Sequence, residues 1–104
     1  MNIGKMMQQA RKMQENLQKL QQELAAMEVT GEAGGGMVRV TLGGDHLVRR
    51  VEIDDAVWQE HDKSLVEDLI VAACNAAAAS LAEASKRKQQ ELMAGMPLPP
   101  GFSL

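Results

Sequence analysis

Three lysines spaced by seven residues, Lys5, Lys12 and Lys19, are the residues of this sequence best suited to chemistry. On an α-helix a seven-residue step nearly completes two turns, so the three ammonium groups fall on one line, roughly 10 Å apart. Arg11 stands beside them, and Lys86-Arg87-Lys88 supplies a second basic cluster. Spaced cations suit the phosphates of a nucleic-acid backbone, which need charge at intervals more than any particular base reader. The bland alternative is a solvated helix face. The aromatic content separates the kinds of nucleic acid: there is no tyrosine, one phenylalanine (Phe102) and one tryptophan (Trp58). Modules for single strands and RNA stack bases on aromatic rings. If the chain takes a nucleic acid, duplex DNA is therefore the expected one.

Other residue types offer less. The two histidines, His46 and His61, fall at a turn and before a helix, where exposed polar residues are ordinary. Cys74 lies in a run of alanines with nothing basic near it in sequence, which suits a packing residue and not a nucleophile. Asp54, Asp55, Glu60, His61 and Asp62 could be imagined around a metal, but helix capping and a solvated acidic surface explain them better. Gly34-Gly35-Gly36 lacks the lysine and the strand–loop–helix setting of a phosphate loop. The expectation is a protein that is not an enzyme, with no metal, no cofactor and no small-molecule substrate.

The elements that must carry the lysines are legible from periodicity. Ile3, Met6, Ala10, Met13, Leu17, Leu20, Leu24 and Met27 are spaced 3-4-3-4-3-4-3, an a/d seam along a helix from about residue 2 to 28. Such a helix is about 40 Å long, more than a chain of this size can wrap. Part of it is expected to project, its seam meeting a second subunit or the chain's own last helix. Flanking positions such as Asn2, Gln9, Asn16, Met7, Gln14 and Gln21 are uncharged, so charge specifies the seam weakly. From Val29 the period changes. Glu28 to Ala33 reads as a short strand, the glycines break it, and Val38, Val40 and Leu42 alternate on one face of a second strand. Gly43-Gly44 signals a turn. Leu47, Arg49, Val51 and Ile53 then read as one face of a third strand, at least partly covered. Asp54-Asp55 caps a brief helical turn holding Val57 and Trp58. Ser64 and Glu67 form a capping box for a helix from about 65 to 94, whose many alanines suggest burial on more than one side. Met96-Pro-Leu-Pro-Pro-Gly101 cannot be helical and reads as a flexible tail.

The fold class is thus α+β: a long N-terminal helix, a small three-stranded antiparallel sheet and a long C-terminal helix. Residues 1–94 form a single domain and 95–104 a tail containing proline and glycine. The core and dimer residues expected are Met13, Leu17, Leu20, Leu24, Val38, Val40 and Leu42. The chain has 104 residues and a formal net charge of -3. The charge is unevenly spread: residues 1–27 carry four basic and two acidic groups, residues 28–68 four and ten, residues 69–104 three and two. The helical segments are mildly basic and the middle is acidic, which must face away from any DNA. A single cysteine suits a reducing compartment. No secretory signal fits the first 30 residues, and the apolar run Leu69 to Ala79, interrupted by Asn75, is too short to span a bilayer.

Several stretches resemble the YbaB/EbfC family of bacterial nucleoid-associated proteins. They are Val29-Thr-Gly-Glu-Ala-Gly-Gly-Gly-Met-Val38, Val51-Glu-Ile-Asp54, and Leu65-Val-Glu-Asp-Leu-Ile70 with Ala72, Ala73, Asn75 and Ala76. The opening Lys5-Met-Met-Gln-Gln-Ala-Arg-Lys-Met-Gln14 and the tail Met96-Pro-Leu-Pro-Pro-Gly-Phe102 are also similar to it. The resemblance implies a tweezer-like homodimer whose central sheets join the subunits and whose long helices project as arms. It also implies duplex-DNA binding in the cytoplasmic nucleoid, altered DNA conformation and effects on gene expression. DNA contact is implied for the first and last helices, where Lys5, Arg11, Lys12, Lys19, Lys86, Arg87 and Lys88 lie. A second reading is a helical adaptor or chaperone-like protein that grips a protein between its arms, using the adaptable side chains of Met6, Met7, Met13 and Met27.

Overall fold

The computed structural model describes residues 2–94. Six elements follow in order: α1 (Ile3–Ala26), β1 (Glu28–Ala33), β2 (Val38–Gly43), β3 (Val48–Ile53), α2 (Asp55–Gln59) and α3 (Lys63–Ala94). The strands form one antiparallel sheet in the order β1-β2-β3. This is the α+β arrangement expected, with each long helix starting or ending within two residues of the expected position. The tail expected at 95–104 lies outside the described residues.

Paired residues of antiparallel strands share a face, so the register gives three apolar rows. They are Ala33–Val38–Ile53, Gly31–Val40–Val51 and Val29–Leu42–Val48. α3 lies over this face. Val38, Val40 and Leu42 join Ala73, Ala77 and Leu81 in the core, with Val29, Ala33, Ile53, Leu69, Ile70 and Cys74 packed around it. The approach is closest at Gly31. A Cβ there would fall on the carbonyl oxygen of Ala73 and the backbone nitrogen of Ala77. The glycine and the alanines together let a helix backbone rest on a strand backbone. Gly34, Gly35 and Gly36 make the β1–β2 turn, all at positive φ.

α3 covers β1 and β2 and leaves most of β3 bare. Val48 is 52% and Val51 43% exposed, although both sit on the apolar face. The partial cover expected over this strand is found at Ile53, which packs against the core, and stops short of Val51 and Val48. The face itself also differs from the plain alternation. A bulge between Thr41 and Leu42 pairs Leu42 with Val48, leaves Arg49 as the extra residue, and puts Val48, Val51 and Ile53 on one side. α3 is likewise buried on one side only: Ala73, Ala77 and Leu81 are covered, while Val71, Ala72, Asn75, Ala78 and Ala79 are exposed. By length and composition alone this helix could cross a membrane, but its apolar side completes the sheet's core. Its N-cap is Asp62, whose Oδ1 accepts from the Leu65 backbone N–H at 3.1 Å. The N-cap thus lies two residues before the one expected and the Ser64–Glu67 capping box does not form: the residue at N3 is Leu65, and Glu67 faces Lys63 at 3.8 Å. Asp54 caps α2 as expected, accepting from the Ala56 N–H at 2.9 Å.

Replacing Gly31 with alanine forces two backbones apart, since no flexible side chain can yield. The expected cost is about 3 kcal/mol, the upper part of the usual range for overpacking, measured as a lowered urea midpoint of unfolding.

Candidate nucleic-acid interface

The candidate interface is built on α1 as it leaves the body. α3 passes Gly34 at Leu69, Gly31 at Ala73 and Ala77, and α1 at Lys88, whose Nζ lies 3.3 Å from Glu23 Oε2. It therefore runs antiparallel to β1 and then to α1. Ala94, six residues past Lys88, stands level with about Leu17. From there α1 extends another 14 residues, about 21 Å, past the described end of α3. Adding the roughly 48 Å of α3 accounts for the molecule's 71 Å long axis.

Only Leu20 of α1 is buried, with Leu24 and Met27 half-buried. The outer seam is open: Met13 is 43% and Leu17 45% exposed, and Ile3, Met6 and Met7 are exposed as well. Of the core residues expected, Leu20, Val38, Val40 and Leu42 are buried. Met13 and Leu17 remain exposed in the single chain, at or beyond the reach of the described part of α3. Asn2 caps the tip, its Oδ1 accepting from the Lys5 N–H at 3.3 Å.

Lys5, Arg11, Lys12 and Lys19 are all exposed on this arm. Among the described residues, none of them makes an ion pair, and neither does Lys86. Arg87 pairs loosely with Glu83 at 3.7 Å. Lys88 is half-buried and held by Glu23, so it joins the two helices. Glu23 lies four residues from Lys19, about 40° around the helix. The ion pair thereby sets the basic end of α3 at the root of the lysine line. A cluster of acidic residues stands at the other pole. Asp54, Asp55, Glu60, Asp62, Glu67 and Asp68 are exposed on α2 and the first turns of α3, past the β1–β2 turn.

The sheet's arginines are arranged differently. Arg39 pairs with Glu32 at 2.8 Å and Arg50 with Glu52 at 2.8 Å. Arg49 donates from Nη1 to Glu28 Oε1 at 2.9 Å and from Nη2 to the Ala25 carbonyl at 3.3 Å, and Asp45 lies 3.8 Å away. All three are committed to neighbouring acids. The role of Arg49 at the end of α1 was not legible in the sequence, because the bulge that aims it leaves no local signal.

His46 and His61 are exposed turn residues with positive φ. Among the described residues no group of three acidic, histidine or cysteine side chains could hold a metal ion. An open hollow of about 400 Å³ on α3 is lined by Ala79, Ser80, Glu83, Ala84 and Arg87. All five lie on one helix, so the hollow is a bare helix face and not an enclosed site.

A solved structure similar in fold is the uncharacterized protein HP0035 from Helicobacter pylori. It aligns with a TM-score of 0.69 and 22% sequence identity, over 89% of this chain and 98% of that one. The model of the YbaB/EbfC DNA-binding family matches residues 1–96. With nearly the whole sequence matched, and with the long helices and three-stranded sheet in place, the chain belongs to the YbaB/EbfC DNA-binding family.

Proposed function

We propose that this protein is a nucleoid-associated homodimer of the bacterial cytoplasm that holds duplex DNA mainly through phosphates and alters its conformation. Roles in gene regulation and nucleoid organisation follow from that reading. The observation that carries it is the line of lysines without an ion pair among the described residues on a projecting arm, with a cluster of six acidic residues at the opposite pole. Steps of roughly 10 Å between lysines offer positive charge at intervals along a duplex whose phosphates recur about every 3.4 Å of rise on each strand. Lys5, Arg11, Lys12 and Lys19 make the contacts along α1, and Lys86, Arg87 and Lys88 extend them at its root.

The dimer accounts for apolar surface that one chain leaves bare. Val48 and Val51 on β3, together with the exposed side of α3, are the surface a second copy would bury. Two arms then present the lysine line twice. A second reading, an adaptor gripping another protein, draws on the open seam of Ile3, Met6, Met13 and Leu17, with Met7 exposed beside it. Salt separates the two, because phosphate binding weakens steeply as salt rises and apolar gripping does not.

Lys5→Gln, Lys12→Gln and Lys19→Gln combined keep helix propensity and remove charge. The triple variant should retain the parent circular dichroism, weaken binding to all duplex sequences alike, and flatten the salt slope by roughly one unit for each phosphate no longer neutralised. Unaltered affinity and slope in gel shifts would sink the arm assignment. For the dimer, Val51→Glu places a charge on the bare apolar strand. Sedimentation equilibrium at micromolar concentration should give twice the chain mass for the parent protein and the single-chain mass for the variant.

A further inference from the structure

We propose that Arg49 is a positioning residue for DNA binding: it aims the α1 arm and so places the lysine line. This rests on the phosphate-binding reading given above. α1 is attached to the body only through its last turns. At its end, Gly44 of the β2–β3 turn donates its backbone N–H to the Met27 carbonyl at 2.8 Å. A Cβ on Gly44 would fall on the Leu24 carbonyl oxygen, so turn and helix backbones touch. Arg49 reaches over Gly43 to the same place. Its guanidinium joins the Ala25 carbonyl at the end of α1 to Glu28 of β1 and, more loosely, to Asp45 of the turn. One planar fork therefore ties together the helix end, the first strand and the hairpin. A cation at a helix C-terminus is also favoured by the carbonyl dipoles there.

The bulge is what makes this possible. In an unbroken ladder Arg49 would pair across from β2. As the extra residue it is released from the pairing and turned toward α1. Arg39 and Arg50, by contrast, pair only with acids of the sheet itself. The arm is a long lever. Lys5 is 22 residues from Met27, about 33 Å along the helix. A swing of about 10° at the root moves Lys5 by about 6 Å, nearly two phosphate steps of about 3.4 Å. Lysines on a loosely rooted arm would then miss the register that lets all three engage one strand together.

The test uses the full chain with nitroxides at Gln8→Cys on the arm and Gln59→Cys on α2, in a Cys74→Ser background diluted with unlabelled protein. Pulsed electron resonance reads the arm-to-body distance, and gel shifts read DNA affinity and salt slope. Arg49→Ala should broaden the distance distribution and weaken duplex binding at ~0.1 M salt about tenfold, with a flatter slope, as expected when one or two phosphates go unneutralised. Arg49→Lys, which keeps the charge but has one ammonium in place of the fork, should restore distance and affinity together only in part. Arg49→Gln serves in place of the alanine variant if that folds poorly. A distribution as narrow as the parent's in Arg49→Ala overturns the proposal, and weakened binding alongside it would make Arg49 a direct phosphate ligand. A broad distribution with parent affinity overturns it equally. If the triple lysine variant binds DNA normally while Arg49→Ala still loosens the arm, the phosphate-binding reading fails and the aiming of the arm by Arg49 stands.

Discussion

The contact between α3 and β1 at Gly31 decides most of what this molecule is. Because the strand offers no side chain there and the helix offers Ala73 and Ala77, the two backbones meet. A helix seated that low leaves most of the third strand uncovered. Its axis lies over β1 and β2, and among the described residues β3 keeps Val48 and Val51 largely exposed. The same seating sends α3 antiparallel to β1, past the end of the sheet, and alongside the root of α1. There Lys88 meets Glu23. The bare strand that calls for a second copy and the basic cluster beside the arm are thus two consequences of one close approach.

Much of this was legible in the sequence, and the parts that were not share a cause. Periodicity located both long helices, all three strands and the alternation of Val38, Val40 and Leu42, because those patterns are local. The bulge at Arg49 was hidden because alternation in β3 looks intact when read straight through Leu47, Arg49, Val51 and Ile53. Only the pairing with β2 shows that Val48 has taken the inner position. Asp62 took the cap from Ser64 because both types serve equally well at that position, and the turn through His61 decides which one is presented. The a/d seam is plain in the sequence, but periodicity carries no information about where its cover stops. That depends on how far α3 runs beside α1, and its described residues leave Met13 and Leu17 exposed. Among the site residues, the sequence could place Lys5, Lys12 and Lys19 on a line, but it could not show that Lys88 is drawn to the same line by Glu23.

A chain with net charge -3 belonging to a DNA-binding family needs its charges kept apart. Here the fold separates them. From Asp62 to Lys88 along α3 is 26 residues, about 39 Å, against a screening length of about 8 Å at physiological salt. The acidic pole therefore does little to the field around the arm, where cations outnumber the two acids Glu15 and Glu23. One of those, Glu23, is already engaged by Lys88. Net charge is the wrong quantity for judging such a molecule, since a phosphate near the arm meets only the local excess.

The arm itself carries a helix with almost no burial to support it. An isolated helix of about 15 residues is marginal in water because the first turn is costly to nucleate. In α1 that nucleus is provided at the other end, where Leu20 is buried, Leu24 and Met27 are half-buried, and Gly44 and Arg49 hold the last carbonyls. The outer residues need only propagate it. Gln8, Gln9, Gln14, Gln18, Lys12 and Lys19 are among the better helix formers for that task. The composition of the arm follows from this arrangement: it is rich in residues that extend a helix without needing a core, and its cations are spaced so that each further pair of turns adds one more charge on the same line. Length, not packing, is what the arm contributes, and its root has to be rigid for that length to be useful.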